Sequence, residues 1–194
     1  MAGKLDGKKI AILATDGVEQ VELVEPRKAL EEAGAQTDLV SLESGEIQAF
    51  DHLDHADKLT VDKTLDEVSA DDYDGLLIPG GVANGDFLRA DESAVEFTAA
   101  FAKAHKPIAA ICHAPWVLVE AGIVKGRTIT SFPSLQTDVR NAGGTWVDEE
   151  VHVDQGLVTS RKPDDIPAFS AKAIEEFCEG EHEAQSRSVG AEAS

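Results

Sequence analysis

Three short runs of apolar residues, each ended by turn residues, constrain the fold of this chain more than any other feature. They occupy residues 9–14, 73–78 and 107–111, and their apolar residues are largely consecutive rather than alternating with polar ones. A run of this kind is typical of a strand that is buried on both faces, as in a parallel sheet. The sequence therefore predicts central parallel strands at these positions.

Segments with helical spacing separate these strands. Apolar residues from Leu23 to Ala33 follow a helical period, so we expect a loop over residues 15–24 and a helix after it. Further helices are expected near residues 91–104, 116–121, 134–142 and from 165 onward, the last with Phe169, Ala173 and Phe177 as its apolar stripe. Alternating strands and helices predict an α/β fold with a mostly parallel sheet covered on both faces. Its ligand crevice should lie at the carboxyl ends of the strands.

Weaker patterns fill the rest of the chain. Strands are expected at residues 36–42, 128–131 and 145–147, with a hairpin through 151–153 and 157–159. Residues 45–72 are polar, and an irregular segment with short extended pieces near Ile47 and at 59–61 is expected there. Residues 1–178 are interpreted as one domain, and the acidic stretch 179–194 as a disordered tail.

Charge and length exclude several classes of protein. The 194 residues include 17 basic and 37 acidic side chains, giving a formal net charge of −20, which would repel nucleic acids and anionic membranes. No stretch approaches the roughly 18 apolar residues of a membrane span. The start of the chain lacks a secretory pattern, and two cysteines do not suggest a disulfide scaffold, so a cytoplasmic protein is expected.

Cys112 is the strongest candidate for chemistry. It follows the predicted strand at 107–111 directly and precedes a predicted helix, an arrangement that projects a side chain outward as in a nucleophile elbow. A thiol ordinarily has a pKa of about 8.5, and a helix amino terminus lowers it, so a preformed thiolate is expected. The alternative is a small cysteine that simply packs in the core.

Neighbouring residues supply candidate partners for this thiol. His113 follows it directly and is a candidate general acid or base, provided that the bend is sharp and a third group orients the ring. Gly80 and Gly81 end a neighbouring strand, and their unobstructed amides, with that of His113, are candidate donors to an oxyanion. A plain turn is the alternative for the two glycines.

Two further features allow more than one interpretation. Glu19 lies in the loop after the first strand, where a carboxyl group beside a thiolate would have a raised pKa and donate a hydrogen bond to sulfur, although a surface role is the default. Residues 51–57 contain two histidines and three aspartates, but no recognised ligand spacing accompanies them, so we expect a polar loop and no metal. Cys178 is expected to pack at the edge of the core.

Four segments taken together resemble the PfpI family of the ThiJ/PfpI superfamily. They are residues 16–23 around Glu19, the turn at 78–81, residues 110–115 around Cys112 and the Thr-Ser-Phe-Pro sequence at 130–133. The resemblance covers residues 8–178, and the chain is most similar to bacterial general stress members. It implies a flavodoxin-like three-layer α/β/α sandwich with a nucleophile elbow.

The resemblance also implies roles for individual residues. Cys112 would be the nucleophile, His113 its partner, and Glu19 the protonated carboxyl group on the thiolate. The amides of Gly81 and His113 would be the oxyanion donors. Peptidase members of the family complete a triad with an acidic residue from a neighbouring subunit, which implies a homodimer or larger homo-oligomer. Here Gly85 stands at the aligned position, and Asp86 follows as the candidate acid.

The family resemblance implies two enzymatic activities. The preferred hypothesis is a stress-response hydrolase, without a cofactor, that acts on α-oxoaldehydes such as methylglyoxal or on their glycation adducts with proteins or peptides. The alternatives are an intracellular cysteine peptidase and a redox sensor or holdase in which Cys112 is oxidised without turnover. Glutamine amidotransferases share the elbow, but residues 151–153 lack the His-x-Glu dyad that they need.

Overall fold

The three apolar runs form the centre of a seven-stranded sheet in the computed structural model, which describes residues 3–181. The strands, in chain order, are β1 (Lys9–Leu13), β2 (Val18–Glu19), β3 (Gln36–Ser41), β4 (Glu46–Asp51), β5 (Asp54–Thr60), β6 (Lys63–Thr64), β7 (Gly75–Ile78), β8 (Ile108–Ile111), β9 (Thr128–Ile129), β10 (Thr145–Trp146), β11 (Val151–Asp154) and β12 (Leu157–Ser160).

In the described part of the chain, six α-helices accompany the strands: α1 (Gln20–Glu32), α2 (Val82–Ala90), α3 (Glu92–Lys103), α4 (Pro115–Glu120), α5 (Gln136–Asn141) and α6 (Ile166–Glu179). Four short 3₁₀ turns lie at Leu65–Glu67, Ala70–Asp72, Pro133–Leu135 and Pro163–Asp165. None of the helices within residues 3–181 combines the length and apolar character that a membrane-spanning helix needs.

The main sheet has the strand order β11-β12-β8-β7-β1-β3-β6. All of its strand pairs are parallel except β11 with β12, which form the predicted antiparallel hairpin. The mostly parallel α/β sheet predicted from the sequence is therefore confirmed. The carboxyl ends of β7 and β8 lie next to each other at one edge, and the residues that follow these strands meet there.

Helices cover both faces of the sheet, because successive residues of the central strands point to opposite sides. Ala11 and Leu13 of β1 pack into one apolar cluster with α3, α4 and α5. Ile10 and Ile12 pack into a second cluster with α1 and α6, where Phe169 and Phe177 are fully buried. Each fully buried Leu or Phe contributes roughly 1.5–3 kcal/mol, so the two clusters hold the three layers together.

Three details differ from the sequence-based expectations. Residues 45–72 are more regular than expected: the extended pieces near Ile47 and Leu59 belong to β4 and β5, which form an antiparallel hairpin with β2 paired to β4. The helix expected after residue 24 already begins at Gln20. Cys178 is exposed, because it follows Phe177 by one residue and so turns about 100° away from the buried stripe.

The chain ends lie partly outside the structure. Residues 182–194, most of the stretch interpreted as a tail, are outside the described residues, and that interpretation stays a prediction. Glu179, where the stretch was expected to begin, is the last residue of α6.

Candidate active site

Cys112 occupies a sharp bend between β8 and α4. It is one of four non-glycine residues with a positive φ within residues 3–181, at 64°. Its backbone N–H donates to Ser160 O at 3.0 Å, and the N–H of Ala114 donates to Ile111 O at 3.1 Å, so the bend is closed on both sides. The thiol therefore lies at the carboxyl end of a central strand, as the nucleophile-elbow interpretation expects, and its residue is 7% exposed.

The sharp bend brings the side chains of two consecutive residues together. Nδ1 of His113 lies 3.1 Å from Sγ of Cys112. The imidazole stacks on Phe132, with ring centroids 4.6 Å apart, and meets the edge of Trp116 at 5.2 Å. These contacts fix the ring plane, so the nitrogen that faces the sulfur is held in place.

Backbone amides approach the sulfur from two directions. The N–H groups of Gly81 and His113 are both directed at it and favour its charged form. The structure thus brings together the two amides that the sequence singles out as oxyanion donors. An oxygen on a carbon bonded to Sγ would lie within reach of the same groups.

Asn84 holds the Gly80-Gly81 turn in place and was missed by sequence reasoning. Its Nδ2 donates to Pro79 O at 2.9 Å and to Gly80 O at 3.1 Å, and its Oδ1 accepts from the N–H of Thr15 at 2.8 Å. The residue is fully buried. The available signal was an amide side chain three residues after a Gly-Gly turn, in the first turn of a helix.

The carboxyl group beside the thiol belongs to Glu22 and not to Glu19. Glu22 is fully buried in the first turn of α1, and the Cys112 thiol and the Gly80 amide are the hydrogen-bonding groups that approach it. Neither of its carboxyl oxygens makes a hydrogen bond of normal geometry within residues 3–181. The carboxyl group is therefore buried beside the sulfur, and few hydrogen bonds offset the cost of burying it.

Glu19 points in another direction. Its carboxylate accepts hydrogen bonds from the backbone N–H of His52, at 3.1 Å and 3.3 Å, and its Oε1 lies 3.3 Å from Nδ1 of the same residue. The expectation that Glu19 adjoins the thiol does not hold because α1 begins at Gln20, directly after it. Glu19 is the residue before the helix, and the inward-facing carboxyl group comes three residues later.

Burial controls the protonation of Glu22. It raises the pKa of this carboxyl group from its ordinary 4.5 to about 8, with a smaller contribution from the charge of Glu19. Glu22 is therefore protonated at neutral pH and can donate its proton toward the sulfur.

The same burial also changes the pKa of the Cys112 thiol. Burial raises the pKa of Cys112, negative charge on Glu22 raises it further, and the Gly81 and His113 amides act in the opposite direction. This is the reverse of the lowered pKa expected from a helix amino terminus. The physical reason is that the cost of burying the charged form outweighs the two amides, and α4, which begins only at Pro115 and has six residues, provides only a short helix dipole.

These shifts assign the bases and acids of the site. Two negative charges in one enclosure oppose each other, so the thiolate is accessible only while Glu22 keeps its proton. Burial lowers the pKa of His113, which leaves the imidazole neutral with Nδ1 facing the thiol, and Nδ1 can accept the thiol proton in the tautomer that carries its hydrogen on Nε2. An adjacent base, rather than a helix dipole, is therefore the group placed to activate the Cys112 thiol.

Asp86, the candidate acid, does not contact His113 within the chain. It is exposed on α2, whose inward residues are Asn84, Gly85 and Leu88. An added Cβ at Gly85 would lie 2.9 Å from His113 O, so the residue beside the active-site backbone is a glycine. No ion pair or hydrogen bond joins Asp86 to His113 in the described part of the chain.

The histidine-rich segment 51–57 forms the tip of the β4–β5 hairpin. Glu19, Asp51 and His52 each place one possible ligand atom within 4.8 Å of the others. The side chains of Asp51 and His52 are about four-fifths exposed, and hydrogen bonds within the group account for the arrangement. We assign no metal to it.

Three curated proteins show what this chain is similar to. It is 44% identical to "Putative cysteine protease YraA" of Bacillus subtilis over 167 residues, which cover 86% of this chain and 96% of that protein. General stress protein 18 of the same organism is 44% identical, with 87% and 96% covered. Protein/nucleic acid deglycase 2 of Escherichia coli is 40% identical, with 86% and 96% covered.

A solved structure and a family model indicate the same family as these relatives. The crystal structure of Drosophila melanogaster DJ-1beta superposes with a TM-score of 0.81 at 25% identity, covering 94% of this chain and 95% of that one. The flavodoxin-like fold implied by the sequence resemblance is thereby confirmed. The family model described as DJ-1/PfpI family matches residues 8–176. With its cysteine at the strand end and the glycine turn beside it, the chain belongs to the DJ-1/PfpI family.

Proposed function

We propose that this protein is a cytoplasmic stress-response hydrolase that uses Cys112 to act on α-oxoaldehydes, such as methylglyoxal, or on their adducts with proteins. One observation carries the proposal: the sulfur has a neutral base at 3.1 Å, two amide donors and a protonated carboxyl group around it. The deglycase name of one relative supports this class of reaction, and the general stress name of another supports the role in a stress response.

The chemistry balances without a cofactor. Nδ1 of His113 takes the thiol proton, and Sγ forms a bond to the aldehyde carbon while the carbonyl π electrons move onto oxygen. The amides of Gly81 and His113 stabilise the resulting alkoxide. The aldehyde hydrogen then moves to the neighbouring carbon as a proton, giving a thioester, and water releases lactate and regenerates the thiol. Isomerisation plus hydrolysis needs no external oxidant or reductant.

Glu22 has a supporting role in this proposal. While protonated, it places no second negative charge beside the sulfur and can donate a hydrogen bond to the thiolate.

His113 would carry protons between the two substrate oxygens, because its other contacts keep the ring beside the sulfur.

The two alternatives receive less support from the geometry. A peptidase triad needs an acid on His113; within residues 3–181 none is in contact with it, and Asp86 is exposed on α2, so this triad would depend on a residue of another subunit. A redox sensor is favoured by an exposed thiol of low pKa, whereas Cys112 is 7% exposed and burial raises its pKa. The oxoaldehyde reaction requires neither feature.

Product analysis tests the proposed reaction directly. Methylglyoxal is incubated with the intact protein, and the products are followed by proton NMR, with heat-denatured protein as the control. We expect lactate in proportion to the methylglyoxal consumed. Consumption without lactate, or cleavage of an unmodified peptide in the absence of any lactate formation, would overturn the proposal.

Replacing Glu22 with glutamine is expected to change the pH dependence of the reaction. In the wild type, Glu22 loses its proton as the pH rises through about 8, and its charge then raises the pKa of the thiol and opposes thiolate formation. The rate constant kcat/KM should therefore fall above about pH 8. The Glu22→Gln variant cannot ionise there, so this alkaline decrease should disappear.

Glu19→Gln is the matched control, because it makes the same change one helical turn away at a carboxylate bound to His52. Its alkaline decrease should remain, displaced slightly to lower pH because the charge of Glu19 contributes to the raised pKa of Glu22. If Glu19→Gln removes the decrease and Glu22→Gln does not, the assignment of the two carboxyl groups is wrong.

A further inference from the structure

One ring nitrogen of His113, Nδ1, faces the sulfur of Cys112, and the other, Nε2, faces away from it. Nδ1 faces Sγ at 3.1 Å, and Phe132 and Trp116 hold the ring plane. A neutral imidazole carries a single N–H, so the groups that face its two nitrogens together decide which one has the proton. If Nε2 holds it, the lone pair on Nδ1 is free to accept the thiol proton.

Ser134 is the residue that faces this second nitrogen. Its Oγ lies 3.4 Å from Nε2. The serine belongs to the 3₁₀ turn Pro133–Leu135, and the N–H of Leu135 donates to Phe132 O at 3.0 Å. The N–H of Phe132 in turn donates to Cys112 O at 2.8 Å. The hydroxyl is therefore tied through the backbone to the same bend that carries the thiol.

No carboxylate in the described part of the chain makes a hydrogen bond to Nε2 of His113. Asp138, on the following helix, accepts from Nε1 of Trp116 at 2.8 Å and so orients the neighbouring aromatic ring. Asp86 is exposed on α2. Burial alone lowers the pKa of His113, which fits a ring whose second nitrogen meets a neutral hydroxyl.

We propose that Ser134 is a positioning residue of this active site, whose hydroxyl accepts the N–H of Nε2 and thereby keeps the Nδ1 lone pair of His113 directed at Cys112. This inference rests on the proposed cysteine-dependent function. A neutral serine takes the orienting position that an acid holds in a Cys-His-acid triad. In the activation step the S–H bond breaks and an N–H bond forms at Nδ1, while the bond from Nε2 to Ser134 is kept.

Nitrogen-15 NMR of the histidine ring tests this inference without any substrate. The spectra are recorded above the pKa of His113 for the wild type, Ser134→Ala and Ser134→Thr, with Ser44→Ala as a matched control at an exposed loop serine. The wild type and the threonine variant should hold the proton on Nε2. Ser134→Ala should move the population toward Nδ1–H. An unchanged tautomer in Ser134→Ala would overturn the inference, whatever the activity of the protein.

A charged variant and kinetics give independent readouts. Ser134→Asp places a carboxylate at Nε2 and should raise the pKa of His113 by about one unit or more. Loss of a neutral hydrogen bond in Ser134→Ala should lower kcat about 3- to 10-fold with little change in KM, and Ser134→Thr should restore it. If the tautomer shifts but no variant forms lactate, the proposed function fails while the positioning contact stands. An equal pKa of His113 in Ser134→Asp and the wild type would contradict the contact itself.

Discussion

Replacing Cys112 with alanine should reduce lactate formation from methylglyoxal to the background rate. The variant keeps the amides of Gly81 and His113 but has no atom that can bond to the aldehyde carbon, and removing a nucleophile commonly costs roughly a thousandfold or more in kcat. Lactate is measured by proton NMR under saturating methylglyoxal. Equal lactate formation by the variant and the wild type would refute a cysteine-dependent reaction.

Cys178→Ala is the matched control for this experiment. Cys178 is exposed near the end of α6 and is the only other cysteine of the chain. Its replacement should leave the rate unchanged. A comparable loss in both cysteine variants would indicate general thiol chemistry and not a site built around Cys112.

Replacing Gly80 with alanine should lower kcat/KM by about a hundredfold, the cost of a displacement of roughly 1 Å in an active site. A methyl group on Gly80 would overlap Oε2 of Glu22, lie 2.5 Å from the Cβ of Cys112 and lie 2.9 Å from Ile111 O. Gly80 has no positive φ, so strain in the backbone does not contribute and the effect is steric. Relief requires movement of the carboxyl group or of the thiol. The measurement is the steady-state rate of methylglyoxal consumption.

Gly126→Ala separates this effect from a general loss of stability. Gly126 has a φ of 76° and no atom within 4 Å of an added Cβ, so alanine there is strained but meets no neighbour. This control should lower the thermal unfolding temperature while kcat/KM stays near the wild-type value. If Gly80→Ala is fully active, the close packing of glycine, carboxyl group and thiol does not govern the reaction.

The position of the candidate nucleophile, Cys112, was predictable because its signals are local. A buried apolar strand that ends abruptly at Cys112, before a proline that can start a helix, predicts a bend with an outward-facing side chain. The Gly80-Gly81 turn follows a second apolar strand in the same way. Parallel neighbouring strands then bring the two turns together without any further information from the sequence.

The identity of the buried carboxyl group was not predictable, because it depends on where one helix begins. Glu19 and Glu22 are three residues apart, and Glu19, the residue before α1, makes no side-chain cap that would reveal the start. An error of a few residues in the start of α1 exchanges the outward and inward carboxyl groups. Periodicity locates a helix but does not fix its ends this closely.

The remaining misses arise from contacts between distant segments. β5 is largely exposed and carries charged residues on both faces, so it lacks the alternation that identifies a strand. Asn84 and Ser134 act through hydrogen bonds to backbone or side-chain atoms of other segments. Such partners become visible only when the sheet has brought the segments together.

Carbon-13 NMR titration of the Glu22 side-chain carboxyl group, assigned with Glu22→Gln, addresses the central claim that a protonated carboxyl group lies beside the Cys112 sulfur. We expect the resonance to report a protonated group at neutral pH, with a midpoint near 8. A midpoint close to the ordinary value of 4.5 would contradict the claim, because Glu22 would then carry its charge against the nucleophile.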